Sequence, residues 1–165
     1  MTQKEALDIL KMGRNVYLTG AAGSGKTYLL NQYIAFLREK GIPVGITAST
    51  GIAATHMGGV TIHSWSGIGI QDVLTERELA MLTKRAYLRT RFAKTKVLII
   101  DEISMLHSYR LDMVDLILRT FRNSDEPFGG IQVVMCGDFF QLPPVTRRDE
   151  KSLPGEAKAD FVTES

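Results

Sequence analysis

A glycine-rich octapeptide near the amino terminus constrains the fold of this chain more than any other feature. Residues 20–27 read Gly-Ala-Ala-Gly-Ser-Gly-Lys-Thr and fit the pattern G-x-x-x-x-G-K-[ST], whose glycines let the backbone approach phosphate oxygens closely. The short apolar run Val16–Thr19 precedes them, and apolar residues at helical spacing follow as far as Gly41. Since the pattern requires a strand before it and a helix after it, the octapeptide predicts a phosphate-binding loop at a helix amino terminus.

Each part of this octapeptide predicts a contact with a bound nucleoside triphosphate. Its backbone N–H groups form an anion-binding nest, the Lys26 ammonium lies against the β- and γ-phosphates, and the Thr27 hydroxyl is a magnesium ligand. We therefore predict that the chain is a P-loop NTPase with ATP and Mg²⁺ as its cofactors. The predicted nucleotide-binding residues of the loop and of the helix that follows are Gly20, Ala21, Ala22, Gly23, Ser24, Gly25, Lys26, Thr27 and Tyr28.

Composition places the chain among ordinary intracellular globular proteins. It has 165 residues, enough for one domain with a real core, and 44% of them are hydrophobic. Its single cysteine, Cys136, rules out an internal disulfide and lies in an apolar run, which predicts a buried thiol. Neither a signal peptide nor a membrane-length apolar run is visible, so we expect no membrane association. We expect the cytoplasm in a bacterium, and the nucleus or a mitochondrion in a eukaryote.

Apolar runs that alternate with helical patterns predict an α/β fold with a doubly wound, mainly parallel sheet and helices on both faces. The predicted strands are Val16–Thr19, Val44–Ala48, Val97–Ile100 and Ile131–Cys136. Residues 51–69 are rich in glycine and hydroxyl side chains and predict mostly loop, whereas a capping box at Thr75 predicts a helix to about Thr90. A further helix with a kink near its start is predicted from about Met105 to Phe121. Ligands of such sheets bind at the carboxyl ends of the strands, where each motif of this chain falls.

Two adjacent carboxylates, Asp101 and Glu102, end the third predicted strand. In P-loop ATPases the first acid of such a pair holds magnesium, usually through water, and a neighbouring acid can act as general base toward the attacking water. The alternative is an acidic turn that opens a helix, where carboxylates suit the helix dipole. With the phosphate loop present, we interpret Asp101 as a metal ligand and Glu102 as a catalytic residue.

A third polar segment, Gly137-Asp-Phe-Phe-Gln-Leu-Pro-Pro-Val145, follows the fourth predicted strand. The Gln141 amide both donates and accepts hydrogen bonds, so it is able to bridge the γ-phosphate and the attacking water. The alternative is a packed strand with a proline-stiffened turn, which is our interpretation for Phe139, Phe140 and Leu142. We predict Lys26, Glu102 and Gln141 as the catalytic set.

Together these motifs resemble the first RecA-like domain of the Pif (petite integration frequency) family of DNA helicases, relatives of RecD within helicase superfamily 1. The resemblance spans residues 2–145, and the matching segments, in the family's order, are LTGAAGSGKT, TASTGIAA followed by TIHSWSGIG, VLIIDEISML and GDFFQLPPV. It implies ATP-driven translocation along single-stranded DNA, usually 5′ to 3′, with unwinding. It also implies that the fourth strand lies between the first and third, with Gln141 beside the γ-phosphate, and that Gln3 reads adenine.

Two of the matching segments resemble the family's DNA-contacting motifs. Backbone N–H groups and hydroxyls at Thr50, Gly51 and Ser64 are suited to phosphate oxygens. His63 or Trp65 is a candidate for stacking on a base, although Trp65 is equally a candidate for the core. Residues 84–96 hold six basic residues and no acid, a pattern that fits either an electrostatic track for a phosphate backbone or a solvated helix face.

The resemblance also predicts the domain organisation. Residues 1–145 are predicted to form the RecA-like ATP-binding motor domain, and residues 146–165 a polar loop at the start of the next segment. The family's second RecA-like domain, which contributes arginines to the γ-phosphate, does not occur in the sequence, so we expect a monomeric fragment that hydrolyses ATP slowly and does not unwind DNA alone. The alternatives are a module that only binds nucleotide or single-stranded DNA, and a small-molecule kinase, against which Glu102 and Gln141 argue.

Overall fold

A five-stranded sheet lies at the centre of this computed structural model, which describes residues 1–70 and 72–138. All of the strand pairs are parallel, in the order β1-β5-β4-β2-β3. The fourth predicted strand, now β5, therefore lies between the first and third, β1 and β4, which confirms the expected topology. The strands are β1 (Val16–Thr19), β2 (Val44–Ala48), β3 (Val60–Thr61), β4 (Val97–Asp101) and β5 (Gln132–Gly137).

Helices cover both faces of this sheet, as predicted. The first two helices pack with one another on one face, and the last four pack on the other. The helices are α1 (Gln3–Lys11), α2 (Lys26–Glu39), α3 (Gly51–His56), α4 (Ile62–Ser66), α5 (Glu76–Thr83), α6 (Ala86–Lys94) and α7 (Ser108–Arg122), with 3-10 turns at Ile103–Met105 and Pro127–Gly130. Among the described residues no helix is both long and apolar enough to span a membrane.

Strand β4 supplies both hydrophobic cores because its side chains alternate between the two faces. Ile99 packs with α1 and α2, whereas Leu98 packs with α4 to α7, and both side chains are fully buried. An apolar strand that is buried on both faces is typical of a parallel sheet covered by helices. The sheet is thus fixed from both sides, and the carboxyl ends of β1, β4 and β5 are brought to one edge.

Two short helices occupy the segment that the glycine pattern predicted as loop. Thr50 and Thr61 are their amino-terminal caps, and each threonine hydroxyl accepts a hydrogen bond from a backbone N–H three residues later, at Ala53 and Ser64 respectively. This capping lets segments of five or six residues form helix despite their glycines, which the loop prediction did not weigh.

The helix predicted from Thr75 to about Thr90 is in fact two helices, α5 and α6, that break at Lys84 and Arg85. The capping box of Thr75 and Glu78 is present. Leu82 and Leu88 both approach Gly67, where an added Cβ would lie 3.4 Å and 2.8 Å from their methyl groups. Residues six apart point in different directions on one straight helix, so packing both leucines against one glycine requires the break.

Candidate functional site

The predicted phosphate loop connects β1 to α2 at the carboxyl edge of the sheet. Gly23 and Gly25 have φ angles of 79° and 89°, in the left-handed region that favours glycine. Gly25 caps α2, and the helix begins at Lys26. The octapeptide therefore has the backbone shape and the helix start that the sequence predicted, and its N–H groups lie at the positive end of the α2 dipole.

The Lys26 ammonium folds back onto this loop. It donates hydrogen bonds to the carbonyl oxygen of Gly20 and, at 2.9 Å, to that of Ala21. Both hydrogen bonds hold the only lysine of the loop next to its backbone N–H groups. A triphosphate that enters the loop would exchange these carbonyl acceptors for phosphate oxygens, which form stronger, charge-assisted hydrogen bonds with the ammonium.

A cleft of about 450 Å³ opens between this loop and the ends of β4 and β5. It brings together residues from three separate segments of the sequence: the loop and first turn of α2, the acidic pair, and the end of β5. Its lining residues are Ala22, Gly23, Gly25, Lys26, Thr27, Tyr28, Asp101, Glu102, Cys136, Gly137 and Asp138. Most of the predicted nucleotide, metal and catalytic residues thus surround one space, as the position of their motifs after parallel strands required.

The acidic pair is held by a rigid, strained turn. Asp101 ends β4 and its carboxylate accepts a hydrogen bond from the Glu102 N–H at 2.9 Å. Glu102 has a φ of 53° and a ψ of 42°, a left-handed conformation that is uncommon for a residue with a side chain. The Ser49 hydroxyl, directly after β2, donates to the Glu102 carbonyl oxygen at 2.7 Å and so fixes the turn from the side. Backbone strain of this kind is characteristic of functional positions.

The environment of the cleft makes the Glu102 carboxylate a stronger base, because it raises the pKa of this group. Burial raises the pKa of its carboxyl group, the neighbouring carboxylates of Asp101 and Asp138 raise it further, and the Lys26 ammonium partly opposes them. A carboxylate with a raised pKa is a stronger proton acceptor, which is the property required of a general base. This environment supports the role that the sequence predicted for Glu102.

Asp138 is a site residue that the sequence motifs did not single out. It lines the cleft and is only 8% exposed, and it directly follows the apolar strand β5, much as Asp101 ends the apolar strand β4. That parallel was the available signal, although Gln141 is the more conspicuous polar residue of the same segment. Cys136, beside it, is a buried thiol, as predicted. Burial, and to a smaller extent the negative charge of Asp101, raises the pKa of this thiol to about 12.

The oxygen atoms in the cleft fit a hard divalent cation. The Thr27 hydroxyl and the Asp101 carboxylate both line it, and Mg²⁺ prefers one or two such protein oxygens completed by water and phosphate oxygens. The described part of the chain contains no cluster of three or more histidine, cysteine, aspartate or glutamate residues that would form an all-protein metal cage. The donor set is therefore suited to magnesium that arrives with a nucleotide.

Gln3, at the start of α1, lies beside the phosphate loop. Its side-chain amide is 3.5 Å from the Gly25 carbonyl oxygen, and a Cβ added at Gly25 would be 2.3 Å from the same amide nitrogen. Gln3, Gly20, Ser24 and Lys26 line a smaller recess of about 230 Å³ next to the main cleft. The structure thus brings Gln3 to the nucleotide side of the domain, whereas Gln141 lies outside the described residues, as do the predicted boundary at 145 and segment 146–165.

The predicted DNA-contacting residues lie at the same edge of the sheet, after β2 and β3. Gly51 and Ser64 are exposed, and Thr50 is half-buried with its hydroxyl already engaged as the α3 cap. His63 is half-buried, and burial together with the Arg110 charge lowers its pKa. These positions are compatible with backbone contacts to phosphate oxygens and leave that prediction untested.

Trp65 is a core residue, so the stacking role suggested for it is wrong in this structure. It is 5% exposed, and its ring lies 5.0 Å from that of Phe92. A Cβ added at Gly45 would lie 2.9 Å from the indole nitrogen, so the ring fills the space above a glycine of β2. The motif around Trp65 therefore packs α4 onto the sheet rather than presenting this ring to a base.

Comparison with known proteins finds one family along almost the whole chain. The family model described as PIF1-like helicase matches residues 2–159. The ATP-dependent DNA helicase Pif1 of Psychrobacter sp. is 63% identical over 152 residues, which are 92% of this chain and 23% of that protein. The ATP-dependent DNA helicase RRM3 of Saccharomyces cerevisiae is 46% identical over 88% of this chain and 20% of that protein. The chain therefore spans less than a quarter of the length of these relatives.

Solved structures show the same similarity in three dimensions. The crystal structure of a Pif1 helicase from Candida albicans matches 99% of this chain and 35% of that protein chain, with a TM-score of 0.87 and 40% identity. A Pif1 helicase from Bacteroides in complex with ADP-AlF3 and single-stranded DNA matches 90% of this chain and 34% of its own, with a TM-score of 0.77 and 41% identity. The sheet and helices of the described residues have the fold of these helicases.

Proposed function

Because the chain belongs to the PIF1-like helicase family, we propose that it is an ATP-binding and ATP-hydrolysing RecA-like motor domain. The larger activity to which this domain would contribute, together with a second RecA-like domain, is 5′-to-3′ translocation along single-stranded DNA with unwinding; the domain alone should not unwind DNA. Its proposed ligands are ATP, Mg²⁺ and single-stranded DNA. Its proposed setting is inside the cell, as a monomer.

The observation that carries this proposal is the convergence of Lys26, Thr27, Asp101 and Glu102 on one cleft. In the proposed reaction Lys26 and the loop N–H groups bind the β- and γ-phosphates, and Glu102 takes a proton from the water that attacks the γ-phosphate. A magnesium ion bound by Thr27 and Asp101 would neutralise phosphate charge. Gln141 remains the proposed bridge between the γ-phosphate and that water.

Two further parts of the proposal concern partners. We assign the single-stranded DNA path to the edge that carries Thr50, Gly51 and Ser64, because backbone N–H groups and hydroxyls there are suited to phosphate oxygens. A second RecA-like domain is the proposed partner across the ATP cleft, where its arginine would stabilise the transition state. Such an arginine contributes about 10³–10⁵ in rate, so hydrolysis without it should be slow.

Nucleotide binding and phosphate release test the proposal with two variants of the cleft. Lys26→Ala removes the charge that faces the phosphates and should weaken ATP affinity about tenfold or more, measured by calorimetry. Glu102→Gln keeps the shape of the side chain but cannot accept the proton, so it should bind ATP normally and lose most phosphate release. Lys11→Ala, at an exposed lysine of α1, is the matched control and should change neither quantity.

The link to DNA is tested by phosphate release with and without oligothymidine. A motor domain should release phosphate faster when single-stranded DNA is present. ATP binding with release that DNA does not change would contradict the motor assignment and favour a module that only binds nucleotide. Normal turnover in Glu102→Gln would instead remove Glu102 from the role of general base.

A further inference from the structure

The segment from Lys84 to Lys96 concentrates positive charge on one part of the surface. It holds six of the 20 basic residues of the chain and no acid, although the net charge of the whole chain is only +2. Arg91 is half-buried and the other five basic residues are exposed. The six are Lys84, Arg85, Arg89, Arg91, Lys94 and Lys96.

Among the described residues, no carboxylate forms an ion pair with this segment. The ion pairs of the described residues join Arg110 to Asp72 and Arg119 to Asp115, and neither involves residues 84–96. Arg91 instead donates to the Trp65 carbonyl oxygen at 2.6 Å, which fastens α6 to α4. The remaining cations are exposed, so a polyanion that docks here meets no competing ion pair from the part of the chain that the structure describes.

The exposed face of helix α6 is a strip of short side chains with longer basic side chains on either side. Leu88 and Phe92 are fully buried against the core, and at 100° per residue Ala86, Thr90 and Ala93 lie on the opposite, exposed side. Basic residues flank this strip: at 100° per residue Arg89 lies on one side and Lys94 on the other, and Arg85, the amino-terminal cap, reaches the Tyr87 hydroxyl on the Lys94 side. Because this strip is made of short side chains, a phosphate backbone is able to lie along it between the basic side chains.

We propose that this exposed face of α6 binds the phosphate backbone of duplex DNA. The choice of DNA among polyanions rests on the proposed helicase function. A duplex suits the face better than a single strand because single-stranded sites combine a groove with free aromatic platforms, whereas α6 is convex. Its exposed aromatic residue, Tyr87, is already engaged, with the Arg91 guanidinium 5.7 Å from its ring and the Arg85 guanidinium 3.5 Å from its hydroxyl.

The carboxyl end of this face lies away from the proposed single-strand path, whereas Arg91 joins the middle of α6 to α4, which carries Ser64. Helix α6 leads directly into β4 at the amino-terminal edge of the sheet, where the Lys96 N–H donates to the Pro43 carbonyl oxygen at 3.0 Å. Thr50 and Ser64 lie at the opposite, carboxyl edge, after β2 and β3. A duplex on α6 would therefore lie along the flank of the domain, and its binding is separable from that of a single strand.

The test compares two triple variants that lose the same charge. Arg85→Gln/Arg89→Gln/Lys94→Gln removes cations from α6, and Lys11→Gln/Arg38→Gln/Lys40→Gln removes three exposed cations at the ends of α1 and α2. Affinities for a blunt hairpin duplex and for oligothymidine are measured by fluorescence anisotropy across a range of salt, and binding to phosphatidylserine vesicles by sedimentation. The α6 variant should bind the duplex at least about tenfold more weakly. Its slope of log affinity against log salt should fall by about 0.9 for each phosphate that the variant no longer neutralises.

Oligothymidine affinity of the α6 variant should remain within about twofold, and the control variant should bind both DNAs like the parent chain. Equal losses in both variants would show only a net-charge effect and overturn the proposal, as would unchanged duplex binding. A loss confined to oligothymidine would assign the face to single strands instead, and a loss confined to phosphatidylserine vesicles would assign it to a membrane. Duplex binding that persists through α6 in a chain without DNA-stimulated hydrolysis would leave this inference standing while the motor function fails.

Discussion

Glu102 illustrates how a single residue combines backbone strain with unfavourable charge. Its left-handed conformation costs on the order of 1–3 kcal/mol, and its half-buried carboxylate lies beside Asp101 and near Asp138. The bond from Ser49 to its carbonyl oxygen holds the turn in place. The fold thus keeps one carboxylate in an environment that opposes its ionisation, which is useful for proton transfer.

Replacing Asp138 should shift the ionisation of Glu102. Asp138→Asn removes a nearby negative charge, so the raised pKa of Glu102 should move down toward its ordinary value. Since a general base acts as the carboxylate, the acid limb of phosphate release should move to lower pH in the same variant. A carbon-13 NMR titration of the Glu102 carboxyl group measures the shift directly.

Asp8→Asn, on the exposed side of α1, provides the control and should leave the Glu102 titration where it is. An unchanged or higher pKa of Glu102 in Asp138→Asn would mean that Asp138 does not act on it as a charge. Folding of both variants is checked from the emission of the buried Trp65.

Individual residues differed in how far the sequence could place them. Lys26 and Asp101 were predictable because the chemistry of phosphate and magnesium fixes both the residue type and its position after a strand. Trp65 was not, because an aromatic ring near a predicted binding segment suits a base as well as a core. Its position depends on Gly45 of a neighbouring strand, a packing arrangement that no local pattern in the sequence reveals.

At the scale of elements, α1 connects the core to the phosphate loop. Its first residue, Gln3, touches the loop at Gly25, and its last turn is fixed by Gln132 of β5. The Gln132 amide donates to the carbonyl oxygens of Leu10 and Arg14 at 3.1 Å and 2.8 Å, and its oxygen accepts from the Tyr33 hydroxyl at 2.7 Å. One buried amide thus joins α1, α2 and the sheet.

Gln132→Leu should weaken the attachment of α1 to the core. The apolar side chain keeps the approximate volume but leaves the Tyr33 hydroxyl without its partner and removes the side-chain hydrogen bonds to the Leu10 and Arg14 carbonyl oxygens, at a cost of about 2–4 kcal/mol. The free energy of unfolding in urea measures the loss, and hydrogen exchange should show α1 opening before α2. Tyr33→Phe alone should cost less because Gln132 keeps its two carbonyl acceptors.

The double variant Gln132→Leu/Tyr33→Phe should lose less stability than the two single losses combined, because the two side chains share one hydrogen bond. Strict additivity would show that the Tyr33–Gln132 bond does not contribute. Hydrogen exchange that became faster in α2 before α1 would contradict the role of Gln132 in attaching α1 to the core.

Elements were predictable where hydrophobic spacing ran for several turns and less so where tertiary contacts set the limits. The four longer strands and α1, α2 and α7 follow from apolar runs and capping signals in the sequence. The short helices α3 and α4 depend on threonine caps within glycine-rich segments, and the break between α5 and α6 depends on Gly67. The packing of two leucines from different helices against one glycine is known only from the folded structure.

At the scale of the whole molecule, two cores share one sheet and should therefore unfold together. Alternate residues of β4 enter the core beneath α1 and α2 and the core beneath α4 to α7. Loss of either core would expose one face of a strand that is otherwise buried on both sides. Apolar burial contributes roughly 25 cal/mol per Å², so a state with only one core should be too unstable to populate.

Unfolding in urea should accordingly be a single transition across the described fold. Trp65, the single tryptophan of the chain, reports on one core through its emission, and the amide protons of α2 report on the other by hydrogen exchange. The emission midpoint should coincide with that of far-ultraviolet circular dichroism, and α2 should exchange with the same free energy. An emission change at lower urea, with α2 still protected, would mean that α4 to α7 separate from the sheet first. In that case the basic face of α6 would be carried by a less stable part of the domain than the ATP cleft.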